Sequence, residues 1–404
     1  MALGLFLVCV ADGAPFDQVT RVVAIAAAII GATFLLDLSG ARRDHLLLPI
    51  VSLLCGLGIV ILWRLQPYLA TKQLLWMVIG VAVMTALYFL IDDVRSLARL
   101  KYTCGIGAIL LIVLTMFIGE ERNGARLWVS LIPGFSFQPT ELAKILLTMF
   151  LAGYLADKGE IIQVGTGRRH GLPAVEFRFL APVLLIAFLG VAVFVLQKDL
   201  GAALLIMGVF IALMYLGTGR GVYSVIGLIA FVIGSAAAYH AFPYVAARID
   251  MWLNPWSDPG HKGFQVLQSL FCLGEGGVSG AGIGLGTPKS LPEPSTDCIF
   301  SVFAEDTGLM GGVGLLLLFM IVSVRGYWIA WTSRDRFGAL LAAGLSTVFA
   351  LQTIVIVGGV IKLTPLTGIT LPFVSYGGTS VIVNFIALGL LLCVSRDCST
   401  VAEE

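Results

Sequence analysis

Residues 339–361 read ALLAAGLSTVFALQTIVIVGGVI, an unbroken stretch without one charged side chain. A bilayer core is crossed by about 20 apolar residues wound as a helix, because only a helix satisfies its own backbone donors and acceptors there. On either side, comparable runs recur near 20–39, 45–63, 71–92, 102–119, 138–156, 179–196, 201–217, 222–242, 308–331 and 379–395. Hydrophobic residues make up 58% of the 404 positions and charged residues 12%, where a soluble chain carries about a quarter. The predicted fold is an all-α polytopic membrane protein with no sizeable soluble domain. Residues 1–11 are apolar but too short to span alone, and they lack the basic leader of a cleavable signal.

The seven cysteines show no CxxC spacing and the four histidines lie singly. Neither a disulfide framework nor a zinc site is expected. A net charge of +1 says nothing about partners by itself, and no nucleic-acid partner is expected.

Orientation follows from Lys and Arg, which concentrate in cytoplasmic loops. Most of the 25 basic residues fall in one alternating set of short connections, the set that is cytoplasmic if the carboxyl terminus is. That assignment puts 120–137, 197–200, the long segment 243–307 and the loop 362–378 outside. A connection as long as 243–307 is usually functional or disordered. Its Trp252, Trp256, Phe264, Leu267 and Phe271 argue against disorder. A short amphipathic or re-entrant helix near 263–273 and a glycine-rich turn at 274–286 are predicted.

Ionisable groups at membrane depth are functional candidates by default. Glu141 and Lys144, three apart after Pro139, share one helix face and can pair. They are read either as a structural ion pair or as the lining of a polar cavity. Asp199 lies at the outer end of a hairpin beside Lys198. Arg126 and Trp128 suit an interfacial anchor or a lipid phosphate. GEGGVSGAGIGLG (274–286) is neither GxGxxG after a strand nor GxxxxGK[ST], so a phosphate loop is rejected in favour of flexible backbone beside a groove. TPLTGITLPFVSYGGTS (364–380) reads as a broken or re-entrant segment. In LPEPSTDCIFSVFAED (291–306), Asp297 stands just before an apolar run, either capping the next helix or acting in chemistry.

Taken together, NGARLWV (123–129), FQPTELAK (137–144), QKDLG (197–201), NPWSDPGHKGFQ (254–265), GEGGVSGAGIGLG, LPEPSTDCIFSVFAEDTGLMG (291–311) and PLTGITLPFVSYGGTS (365–380) resemble the SEDS proteins of cell shape, elongation, division and sporulation. The blocks stand in family order. The resemblance implies a ten-helix transmembrane core at 45–396, extra helical segments at 1–44 and a cytoplasmic tail at 397–404. It also implies a glycosyltransferase that polymerises lipid II outside the cytoplasmic membrane, releasing undecaprenyl pyrophosphate beside a class B penicillin-binding protein. The acid of the TDFIF-type motif falls on Asp297, expected as general base. Gln138, Glu141, Lys144 and Asp199 fall in the central cavity blocks. Arg126, Trp128, Lys289 and Lys362 are further candidates for substrate phosphates, and Glu141 and Asp199 could hold Mg²⁺ or Mn²⁺. Departures include Lys198, Cys298 and Asp306. A lipid II flippase and a non-catalytic scaffold are the competing readings, the first expected to show inverted repeats, of which none is evident.

Overall fold

The computed structural model describes residues 44–122, 125–132, 135–164, 168–169, 172–173, 177–286 and 291–400, with isolated positions 31, 33 and 36. The predicted span at 20–39 therefore lies almost wholly outside the described residues. Long helices follow the apolar runs: α1 Leu47–Leu65, α2 Pro67–Leu90, a one-turn α3 Arg95–Ala98, α4 Lys101–Ile118, α5 Pro139–Val164, α6 Phe177–Leu196, α7 Leu200–Thr218 and α8 Gly221–Ala241. Two shorter helices, α9 Pro243–Leu253 and α10 Phe264–Gly276, occupy the long segment, followed by α11 Ile299–Thr332, α12 Arg336–Val360 and α13 Gly378–Thr400. Among the described residues, nine helices are long and apolar enough to cross a membrane. The long helix α5 is not one of the nine; it carries Glu141, Lys144, Asp157, Lys158 and Glu160.

The described residues are not purely helical. Strands β1 Glu120–Arg122, β2 Ala125–Ile132 and β3 Phe135–Phe137 form an antiparallel sheet in the order β1-β2-β3, and β4 Arg168–Arg169 pairs with β5 Leu172–Pro173. In ARLWVSLI, Ala125, Leu127, Val129 and Leu131 fall on one face of β2, while the other mixes Arg126 and Ser130 with Trp128 and Ile132, an incomplete form of the period-2 signature of a half-buried strand. Its short span beside long apolar runs hides that signal.

The chain forms two compact units. The first comprises Met1–Phe89, Pro243–Arg325 and Gln352–Gly389; the second comprises Leu90–Phe242, Gly326–Leu351 and Leu390–Glu404. In the second, α4, α5, α6 and α7 share a buried cluster of Ala108, Ile112, Ala143, Leu147, Phe194, Ala202, Ala203 and Ile206. Small side chains at these contacts let helices approach closely, which is how helices associate where no hydrophobic force separates protein from lipid.

In the first unit the glycine run is not flexible backbone, as expected from sequence, but a clamp on a helix break. α11 leaves helical geometry at Gly308, with φ 71° and ψ −172°. The carbonyls of Glu305 and Asp306, which would accept from Leu309 and Met310, accept instead from Ala281 N at 2.9 Å and Gly282 N at 3.0 Å. Leu309 N and Met310 N donate to Gly277 O at 2.9 Å and Val278 O at 3.2 Å. All four displaced groups are thereby satisfied, as buried backbone demands. A side chain at Gly308 would place Cβ 2.4 Å from Gly280 N and Val278 O. Arg64, at the end of α1, holds the same place by pairing with buried Asp306 and donating to Gly286 O at 2.6 Å. Gly308→Ala is expected to lower stability by about 1 to 3 kcal/mol from backbone strain alone, with the collision adding to it. A thermal melt in detergent that matched wild type would refute this account.

Candidate active site

Asp297 lies in the first unit on a turn that Glu293 organises. The Glu293 carbonyl accepts from Thr296 N and Cys298 N, both at 3.3 Å, while Glu293 itself takes a positive φ of 47°. α11 begins at Ile299, so Cys298 holds the flanking position. No first-turn N–H of α11 bonds the Asp297 carboxylate among the described residues. The capping reading of Asp297 is thus not what its side chain does.

The turn is fastened to the irregular segment 364–377, which the sequence marks with two prolines. Tyr376 N donates to Ser295 O at 2.8 Å, and Ser375 Oγ donates to Thr296 O at 2.7 Å while accepting from Leu371 N at 2.9 Å. Beneath them is Gln73 of α2, fully buried. Its Nε2 donates to Ser375 O at 3.0 Å and its Oε1 accepts from Gly377 N at 3.2 Å. Gly368, at φ 74°, faces the acid, and a Cβ there would stand 3.4 Å from Asp297 Oδ2. A side chain at 368 would both strain the backbone and fill the space before the carboxylate. From α9, Arg248 Nη1 donates to Thr367 O at 3.1 Å and Trp252 Nε1 to Lys362 O at 3.1 Å. The result is a half-buried carboxylate on a turn whose Glu293, Ser295 and Thr296 carbonyls each accept a hydrogen bond, which is how a reactive group is held in geometry.

Burial pushes the Asp297 carboxyl up to about 6 from its usual 3.8. Nearby Glu293 adds to the rise, while the Thr296 hydrogen bond and the Arg248 charge oppose it. A carboxylate titrating close to neutrality is a competent proton acceptor at physiological pH.

The second unit carries its own polar group. Lys144 Nζ and Glu141 Oε1 are 2.8 Å apart, with both side chains buried. Pro139 opens α5 at a position that needs no N–H, and Glu141 lies in the first turn, where a negative charge suits the helix dipole. Asp199 caps α7, its Oδ1 accepting from Ala202 N at 2.9 Å. Ala143 and Ala202 belong to one buried cluster, so the pair and the cap lie at neighbouring helix ends. Gln197 Nε2 ties the end of α6 to Ile112 O at 2.7 Å.

The sequence profile of the FtsW/RodA/SpoVE cell cycle proteins matches residues 44–400. The chain belongs to that family. Peptidoglycan glycosyltransferase RodA of Mycobacterium tuberculosis H37Rv is 39% identical over 95% of this chain and 85% of that protein. Stage V sporulation protein E of Bacillus subtilis is 36% identical over 87% of this chain and 97% of its own length. Among solved structures, a chain from a peptidoglycan synthase complex studied for its coordination of polymerization and crosslinking superposes with a TM-score of 0.73. It is 29% identical over 88% of this chain and 98% of that one. Rod shape determining protein RodA of Thermus thermophilus gives 0.64 at 28% identity, over 88% of this chain and 97% of that one. This chain is accordingly a multi-pass membrane protein of the FtsW/RodA/SpoVE family.

The predicted site residues of this family member separate by unit. Asp297 and Lys362 belong to the first. Arg126, Trp128, Gln138, Glu141, Lys144 and Asp199 belong to the second. Arg126 and Trp128 stand two apart on β2, and Arg126 Nε faces Glu121 Oε2 across the β1–β2 pair at 3.5 Å, both side chains more than half exposed. Gln138 precedes α5, its carbonyl accepting from Glu141 N at 3.2 Å. Lys289 lies outside the described residues.

The metal expectation does not fit the donor set. A hard cation needs several free oxygens, yet Glu141 is engaged by Lys144 and one Asp199 oxygen by the α7 backbone. Among the described residues no three His, Cys, Asp or Glu side chains are placed to share an ion. Sequence reading also missed Arg248, Gln73 and Ser375. Only Arg248 carried a signal, as a base in the long segment; the others are ordinary polar residues until the fold pairs them.

Proposed function

We propose that this chain polymerises lipid II into peptidoglycan glycan strands, with Asp297 as general base. Family membership supports the reaction class, and the geometry that carries the residue assignment is the rigid, half-buried Asp297 turn. In the reaction, Asp297 takes the proton of the acceptor sugar's 4-hydroxyl. The freed oxygen forms a bond to the donor's anomeric carbon as the bond to undecaprenyl pyrophosphate breaks. Negative charge grows on the departing pyrophosphate, and fixed cations stabilise it. Within the first unit Arg248 faces Asp297 and is placed to serve, with Lys362 on the adjoining loop.

The same reading puts Asp297 on the extracytoplasmic side and the carboxyl terminus in the cytoplasm, in keeping with the Lys and Arg distribution. The polyprenyl tails lie among membrane lipids, and a class B penicillin-binding protein crosslinks the product strand.

The test is polymer formation from purified lipid II by detergent-solubilised protein, with and without such a partner. Glycan strands from the wild type are expected. Transbilayer movement of labelled lipid II with no polymer would replace this reading by a flippase.

Ser375→Ala removes the hydroxyl that joins Leu371 N to Thr296 O. Leaving the buried Leu371 N–H and the part-buried Thr296 carbonyl unmatched is expected to lower stability by about 1 to 3 kcal/mol and to slow polymerisation as the Asp297 turn loosens. Ser375→Thr, which keeps the hydroxyl, should recover most of the rate. Equal rates for the alanine and threonine variants would remove Ser375 from the scaffold of the site.

A further inference from the structure

Among the described residues several cations face a carboxylate. Arg64 pairs with Asp306, Lys144 with Glu141, and Arg325 with Asp44. Lys72 does not. It lies near the start of α2, half-exposed, with its ammonium 4.6 Å above the Tyr68 ring and the Tyr376 side chain close by. No acid is within ion-pairing distance of it among the described residues.

Its place is fixed from both directions. Lys72 immediately precedes Gln73, whose side chain grips Ser375 O and Gly377 N. Tyr376 lies between those two residues and donates its backbone N–H to Ser295 O, two positions before Asp297. One ammonium and two tyrosine side chains thus gather beside the segment that holds the proposed base. An ammonium offers three donors and a phenol one; Lys72 spends one on the Tyr68 hydroxyl, and the donors left over suit the oxygens of a phosphate.

We propose that Lys72, with Tyr68 and Tyr376, binds the phosphate group of a lipid-linked substrate beside the Asp297 turn. This rests on the glycosyltransferase reading for the identity of the substrate, and on the Lys72 geometry alone for the anion. The shared chemistry has two sources, the substrate's diphosphate and the headgroup of a bulk anionic phospholipid.

The experiment separates them. Binding of inorganic pyrophosphate to purified wild type, Lys72→Gln and Lys72→Arg is measured by calorimetry, and KM and kcat for lipid II are measured in nanodiscs of zwitterionic or anionic lipid. Lys72→Gln is expected to weaken pyrophosphate binding and raise KM by about 10-fold each, the scale of one charge-assisted hydrogen bond. kcat should change far less, and Lys72→Arg should stay near wild type. Pyrophosphate binding that Lys72→Gln leaves unchanged would overturn the proposal whether or not the wild type makes polymer. A KM effect seen only in anionic lipid, without loss of pyrophosphate binding, would overturn it too by making Lys72 a headgroup anchor. If the wild type makes no polymer yet binds pyrophosphate through Lys72, the anion site stands and the glycosyltransferase reading falls.

Discussion

Asp297→Asn is expected to abolish glycan polymerisation while leaving the protein folded and membrane-inserted. The amide keeps the side chain's shape but cannot take a proton, so the loss measures base catalysis, worth about 10² to 10⁴ in rate. Because the folded carboxyl titrates near 6, and only the ionised form accepts a proton, wild-type activity should be full above that pH. Below it, activity should fall about ten-fold per pH unit. The stability consequence has the opposite sense from that of a salt-bridged acid. Between the ordinary value of 3.8 and about 6, the folded protein holds a proton that the unfolded chain has released. Stability therefore declines as pH rises through that window and stays lower above it. Asn carries no such cost, so the variant should melt at a higher temperature than wild type at pH 7, with the gap closing below about pH 4. An inactive variant that is also less stable at pH 7 would mean that Asp297 is structural. Near-normal polymer yield would end its assignment as base.

Lys144→Ala carries the largest expected loss of stability. Both side chains of the pair are buried, 3% and 7% exposed, at 2.8 Å. Removing the lysine leaves Glu141 as a buried carboxylate without its counter-charge, a loss of about 3 to 5 kcal/mol. Replacing both members by neutral side chains of similar volume is often harmless. Glu141→Gln with Lys144→Met should therefore recover most of the melting temperature lost by Lys144→Ala. The readouts are thermal unfolding in detergent and polymerisation by the double variant. Recovery of both would make the pair purely structural, whereas recovered melting with absent polymer would place it in the reaction as well. A single variant that melts like wild type would remove the buried-pair argument altogether.

The places where sequence and structure agree share a physical cause. The runs behind α1, α4, α6, α7, α8 and α12 are found because transfer into lipid is decided segment by segment. The Glu141–Lys144 pair is legible because three residues along a helix is a fixed distance. Asp297 stands out because an acid before an apolar run is costly and so needs a reason. The glycine run was legible as composition but not as structure. Its glycines exist because Gly280 and Gly308 bring two backbones into contact, a relation between residues 28 positions apart. The sheet at 120–137 is not legible in the sequence, since β2 alternates only partly and the apolar runs on either side dominate the pattern.

Sequence by itself determined that this is a polytopic membrane protein of the FtsW/RodA/SpoVE family and which acid to suspect, because partitioning and motif order are local properties of the chain. Tertiary structure alone decided what holds that acid in place. Gln73 and Ser375 are 302 positions apart, and neither announces itself as part of a site. Hydrogen-bond partners at that separation are chosen only when the helices have packed and every buried donor must find an acceptor.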